Sequence, residues 1–125
     1  MAGISLGGLI TTYAACRYPQ IFSRVAILSP AFYRNQEDIE KLLRNSDLSS
    51  IERFYMDCGT REAGEEERIS EAFLNSSKAI YEILSEKAIN TRFEILNDYE
   101  HDYLFFRKRI PEIVSYLFTE SNAIH

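Results

Sequence analysis

Near the start of the chain, Gly3, Ser5 and Gly7 spell G-x-S-x-G, and Gly8 extends the pattern to G-x-S-x-G-G. A serine hydroxyl becomes a useful nucleophile only when a base removes its proton and a carboxylate orients that base. Glycines flanking such a serine suit a sharp strand-to-helix turn that exposes Oγ at the C-terminal edge of a sheet. Gly and Ser are common enough that a random chain of this length shows the pattern in about a few per cent of cases. Ser5 as a nucleophile therefore needs a His and an Asp or Glu at suitable places further along.

His101 is the only histidine apart from the terminal His125. It lies just after a strand candidate, where a loop at the C-terminal edge of a sheet can present a base. Two carboxylates sit near the end of the preceding strand candidate. Glu62 falls in the turn Gly59-Thr60-Arg61-Glu62, from which it can reach across strand ends, and is the favoured acid. Asp57, still inside the strand, is the alternative. Asp98 and Asp102 flank His101 too closely in sequence to orient the ring from behind. The order Ser, acid, His along the chain is that of the α/β-hydrolase arrangement.

These residues need elements to hold them. Residues 7–17 carry small and apolar side chains near helical spacing, closed by Tyr18-Pro19. Residues 24–29 form a short apolar run ended by Pro30, which reads as a strand buried on both faces. Asn35 can cap a helix over 36–44, and residues 51–58 read as an aromatic-rich strand ending at Gly59. Residues 65–87 place Ile69, Phe73, Ile80, Ile83 and Leu84 on one helical stripe behind an acidic first turn, which is expected to be solvated rather than metal-binding.

Residues 91–96 alternate as an outer strand does, 97–100 read as a polar turn, and Pro111 is expected in the first turn of a terminal helix. The tail 119–125 is expected to fray. Strands alternating with helices predict an α/β fold: a three-layer αβα sandwich on a parallel sheet, forming part of an α/β-hydrolase domain. Met1 and Ala2 would be the last residues of a further strand, leaving an open sheet edge.

With 125 residues, 46% hydrophobic and 26% charged, the chain is expected to be a single folded domain spanning 1–125. Nineteen acidic against fourteen basic side chains, with no basic block, argue against nucleic acid as a partner. Cys16 and Cys58 are too few and too isolated for a disulfide framework or a C-x-x-C metal site, so both are expected to be reduced. No apolar run reaches the length of a membrane span and no signal-like order opens the chain, so a cytoplasmic location is the expectation.

Four ordered stretches go further: M-A-G-I-S-L-G-G opening a helix that ends R-Y-P-Q-I-F, the strand end S-P-A-F-Y, then D-C-G-T-R-E, and Y-E-H-D-Y-L-F-F-R-K-R-I-P. Over residues 1 to about 118 the chain resembles the esterase D-like group of α/β-hydrolases, which includes enterochelin esterases, feruloyl esterases and mycolyltransferases. The resemblance implies Ser5 as nucleophile, Glu62 as acid at the G-T-x-[DE] position, His101 as base, the Leu6 N–H as one oxyanion donor, and Phe32 and Tyr33 near the substrate pocket. It implies no metal and no organic cofactor.

That family's domain is about twice as long, so the chain corresponds to its C-terminal half, without the early strands and the loop that supplies a second oxyanion donor. The expected function is a serine carboxylester hydrolase acting on a small-molecule ester through an acyl-enzyme. A catalytically silent module that self-associates through its uncovered sheet edge, and an acyltransferase or thioesterase using the same triad, are the alternatives.

Overall fold

A computed structural model of the chain describes residues 1–87 and 89–118. Among these, four strands alternate with helices in the order β1 (Ala2–Ile4), α1 (Leu6–Arg17), β2 (Arg24–Leu28), α2 (Gln36–Asn45), β3 (Arg53–Arg61), α3 (Glu67–Glu86), β4 (Thr91–Glu100) and α4 (Tyr103–Phe118). A 3-10 turn, Phe32–Arg34, precedes α2. The strands form one parallel sheet in the order β1-β2-β3-β4. The α/β fold read from the sequence is thus the fold observed.

The period-2 alternation of β2 and β3 decides which helix packs where. Val25, Ile27, Phe54 and Met56 point to one face and join Ala15, Phe32, Leu43, Ile80, Ile83 and Leu84 in a core beneath α1, α2 and α3. Ala26, Leu28 and Tyr55 point to the other face and meet Phe106, Ile113 and Leu117 of α4. Asp57, in phase with Tyr55, therefore points at α4 as well, fully buried.

Several sequence expectations shift, among them β3, expected to end at Gly59 but running through it to Arg61. The first strand runs on to Ile4 rather than stopping at Ala2, with Gly3 opposite Ile27. Residues 97–100 are not a free turn: β4 continues to Glu100, which pairs with Arg61 across an irregularity near Gly59. Asn35 precedes α2 but makes no side-chain cap hydrogen bond; its carbonyl accepts from the Ile39 N–H instead.

The largest shift is in α4, which begins at Tyr103, so that Pro111 lies inside the helix and not in its first turn. Asp102 sets that start, its Oδ1 accepting from the Leu104 N–H at 2.8 Å while its carbonyl accepts from Phe105 and Phe106. Pro111 removes one intrahelical hydrogen bond, toward the Arg107 carbonyl, without ending the helix. The segment 119–125, expected to fray, lies outside the described residues.

Close approach explains the first glycine of the motif. A Cβ on Gly3 would be built into the Gly7 carbonyl and the Thr11 hydroxyl, so α1 can descend onto β1 only if residue 3 has no side chain. Gly8 lies against Pro30, where a Cβ would be 3.1 Å from the proline Cβ. Gly7 has no such neighbour, so the tight packing at this turn falls on Gly3 and Gly8.

Candidate active site

All four strands run the same way, so the residues that follow them gather at one edge of the sheet: Ser5 after β1, Ser29 after β2, Glu62 after β3 and His101 after β4. Ser5 sits at φ 58°, ψ −118°, a conformation that costs a non-glycine residue energy and that persists where its surroundings hold it. Here the Ser5 N–H donates to the Leu28 carbonyl at 2.9 Å, and the Ser5 carbonyl accepts from Gly8 at 3.0 Å. Ser5 is half-buried at this turn. The next residue, Leu6, opens α1, so its N–H has no intrahelical acceptor and is free to face an anion.

Glu62 and His101 are brought together. Oε1 of Glu62 lies 2.8 Å from His101 Nδ1, and the His101 N–H donates to the Glu62 carbonyl at 3.3 Å. An ionised carboxylate only accepts, so Nδ1 carries the proton and Nε2 is left as the basic nitrogen. The imidazole packs on the Phe73 ring at 5.6 Å and against the edge of Phe106 at 5.1 Å, which restricts its rotation. Among the described residues no hydrogen bond joins Ser5 to this pair, which is common before substrate draws such groups together.

The Glu62 side chain is fully buried. Burial alone pushes its pKa up, but hydrogen bonds from His101, the Ser29 hydroxyl and the Gly59 N–H outweigh it and hold the carboxyl below its ordinary value. The stability this supplies is fully present above the ordinary glutamate value of about 4.3 and is lost as pH falls through the lower folded value. Glu62→Gln, which cannot ionise, is therefore expected to be less stable than wild type near neutrality. That gap should narrow as pH drops below about 4.3, as followed by urea unfolding at stepped pH.

Asp57, the alternative acid, has other partners. Its oxygens accept from Arg109 Nε at 2.7 Å and Nη2 at 2.9 Å, from the Tyr55 hydroxyl at 2.7 Å and from the Ser29 N–H at 3.1 Å. It is the counter-ion of a buried arginine on α4, and its acceptor sites are committed there. Phe32, expected near the substrate pocket, is fully buried in the core. Tyr33 is partly buried, its ring 5.0 Å from Phe73 and so one ring removed from His101.

Reasoning from the sequence missed Ser29, Arg109, Phe73 and Phe106. The one local signal is Arg109 itself, a cation inside the otherwise apolar face of a helix. Cys58 is buried, and its thiol is pushed up by burial and by the neighbouring Glu62 charge, which leaves it inert as a nucleophile. No group of three or more potential metal ligands occurs among the described residues.

The sequence model of the Esterase family, described as "Putative esterase", matches residues 1–117. The chain belongs to this family. It is 26% identical over 128 residues to "Uncharacterized protein YbbA" of Bacillus subtilis (strain 168), a match covering 98% of this chain and 50% of that protein. Among solved structures it resembles a ferulic acid esterase (TM-score 0.72, 16% identity, 93% of this chain and 48% of that one). It also resembles the siderophore hydrolase EstB from Aspergillus nidulans (TM-score 0.70, 17% identity, 93% and 47%). The chain thus spans about half the length of these relatives, and the structural matches bear on its fold. The family and the fold are those the motifs implied.

Proposed function

We propose that the chain carries the catalytic triad of a serine carboxylester hydrolase, with Ser5 as nucleophile, His101 as general base and Glu62 as the orienting acid. The observation that supports this most is the 2.8 Å contact between Glu62 and His101 Nδ1, at the sheet edge where the Ser5 turn also lies. In the first step His101 Nε2 takes the Ser5 proton as Oγ attacks the ester carbonyl. Glu62 stabilises the imidazolium, and the oxyanion accepts a hydrogen bond from the Leu6 N–H. His101 then returns the proton to the departing alcohol, leaving an acyl group on Ser5. Water, deprotonated by the same Nε2, releases the acid.

An oxyanion hole commonly uses a second backbone donor from a loop after an early strand, and losing one donor costs on the order of 10²–10³ in rate. The substrate we propose is a small-molecule ester, consistent with the aromatic wall of Tyr33 and Phe73 beside His101. The test is turnover of a short p-nitrophenyl ester by the chain, above the buffer rate and proportional to chain concentration. A rate that never exceeds buffer, together with an unreactive Ser5, would reject this reading.

A further inference from the structure

Behind Glu62 lies a buried polar relay that neither the triad nor core packing accounts for. The Ser29 hydroxyl donates to Glu62 Oε2 at 2.6 Å and accepts from Arg109 Nη2 at 2.8 Å. Its direction is fixed by chemistry: a guanidinium has no acceptor, so the single hydroxyl proton of Ser29 must point at Glu62. Arg109 is held in turn by two hydrogen bonds to Asp57, and its guanidinium lies over the rings of Phe106 (4.7 Å) and Tyr99 (5.6 Å).

We propose that Ser29 is a positioning residue of the triad. Its hydroxyl, oriented by Arg109, occupies Glu62 Oε2 and leaves Oε1 for the Nδ1–H of His101. Ser29 is itself pinned, with φ 46° and an N–H donating to both the carbonyl and the Oδ1 of Asp57 at 3.1 Å. Loss of this hydroxyl frees the carboxylate to rotate about its last bond, with only the Gly59 N–H still holding Oε2.

Because Asp57 cancels the charge of Arg109, the relay delivers an oriented hydrogen bond without a net cation. The titratable groups that act on Glu62 directly are His101 after β4 and Cys58 of β3, whereas Arg109 of α4, paired with Asp57, reaches it through the Ser29 hydroxyl. The proposal rests on the reading of Glu62 and His101 as acid and base.

The test uses the full chain and two variants, Ser29→Ala and Ser29→Gly. Both lack the hydroxyl, but glycine relieves the positive φ that alanine retains. Two quantities are followed: the rate at which a fluorophosphonate labels Ser5, and the pH at which the carbon-13-labelled Glu62 carboxyl titrates. Both variants are expected to label about tenfold more slowly, the loss of one hydrogen bond to a charged group. In both, Glu62 should titrate at higher pH.

An unchanged Glu62 titration in both variants overturns the proposal. So does recovery of rate and titration in Ser29→Gly, which would make the role of residue 29 one of backbone strain. If Ser5 of the wild-type chain does not label at all, the proposed function fails, and the Glu62 titration still decides whether Ser29 holds that carboxylate.

Discussion

Alanine at Ser5 is expected to bring ester hydrolysis down to the rate of the buffer, a loss on the order of 10⁴-fold or more where the triad operates as a unit. The substitution removes one oxygen and nothing else the fold depends on. Alanine at φ 58° is as strained as serine, and the backbone hydrogen bonds to Leu28 and Gly8 remain. The thermal midpoint should therefore stay within a degree or two of wild type, taken as roughly the spread of neutral surface changes. Initial rates and calorimetry on the same sample check both halves. A variant that unfolds would show that the hydroxyl has a structural partner; one that still turns over ester would show that the nucleophile lies elsewhere.

The second large effect is on stability. Asp57→Ala leaves the Arg109 guanidinium, 6% exposed, without its counter-ion. It also strips the acceptor from the Tyr55 hydroxyl. Breaking a buried pair from one side typically costs about 3–5 kcal/mol, because the remaining charge can neither pair nor reach water. For a domain of this size that corresponds to a fall in Tm on the order of 10–20 °C. The double variant Asp57→Leu with Arg109→Met should regain much of the loss, since an apolar pair of similar volume needs no desolvation of charge. Chemical denaturation of the three proteins measures this; equal stability of wild type and Asp57→Ala would contradict the buried pair.

Much of this architecture was readable from local pattern. The run Val25–Leu28, the aromatic strand before Gly59 and the long amphipathic stripe of α3 all depend on side-chain periodicity, which neighbours in sequence display. What local pattern could not show was decided by distant partners. Asn97, Asp98 and Glu100 are poor strand formers, yet they extend β4 because β3 offers them a ladder. Pro111 looked like a helix start because nothing local announced that Asp102 would cap nine residues earlier and that one missing hydrogen bond would be tolerated.

The site divides in the same way. Ser5, Glu62 and His101 were singled out from motif and order, and the fold sets them along one sheet edge because each follows a strand and parallel strands deliver their ends there. Glu62 and Asp57 part by phase: Asp57 shares the face of Tyr55 and meets α4, whereas Glu62 lies beyond the strand end and meets His101. Ser29 and Arg109 were invisible because their hydrogen bond joins positions 80 apart. Phe32 and Tyr33, adjacent in sequence, part company within a 3-10 turn that buries the first and leaves the second beside Phe73.

The central claim is that Ser5 is a nucleophile activated by His101 and Glu62, and covalent titration with a fluorophosphonate tests it most directly. Mass spectrometry of the wild-type chain should show one adduct, mapped to Ser5. Ser5→Ala should take up none, and His101→Ala should take up label far more slowly. An adduct on another residue, or labelling of Ser5 that ignores the loss of His101, would contradict the account.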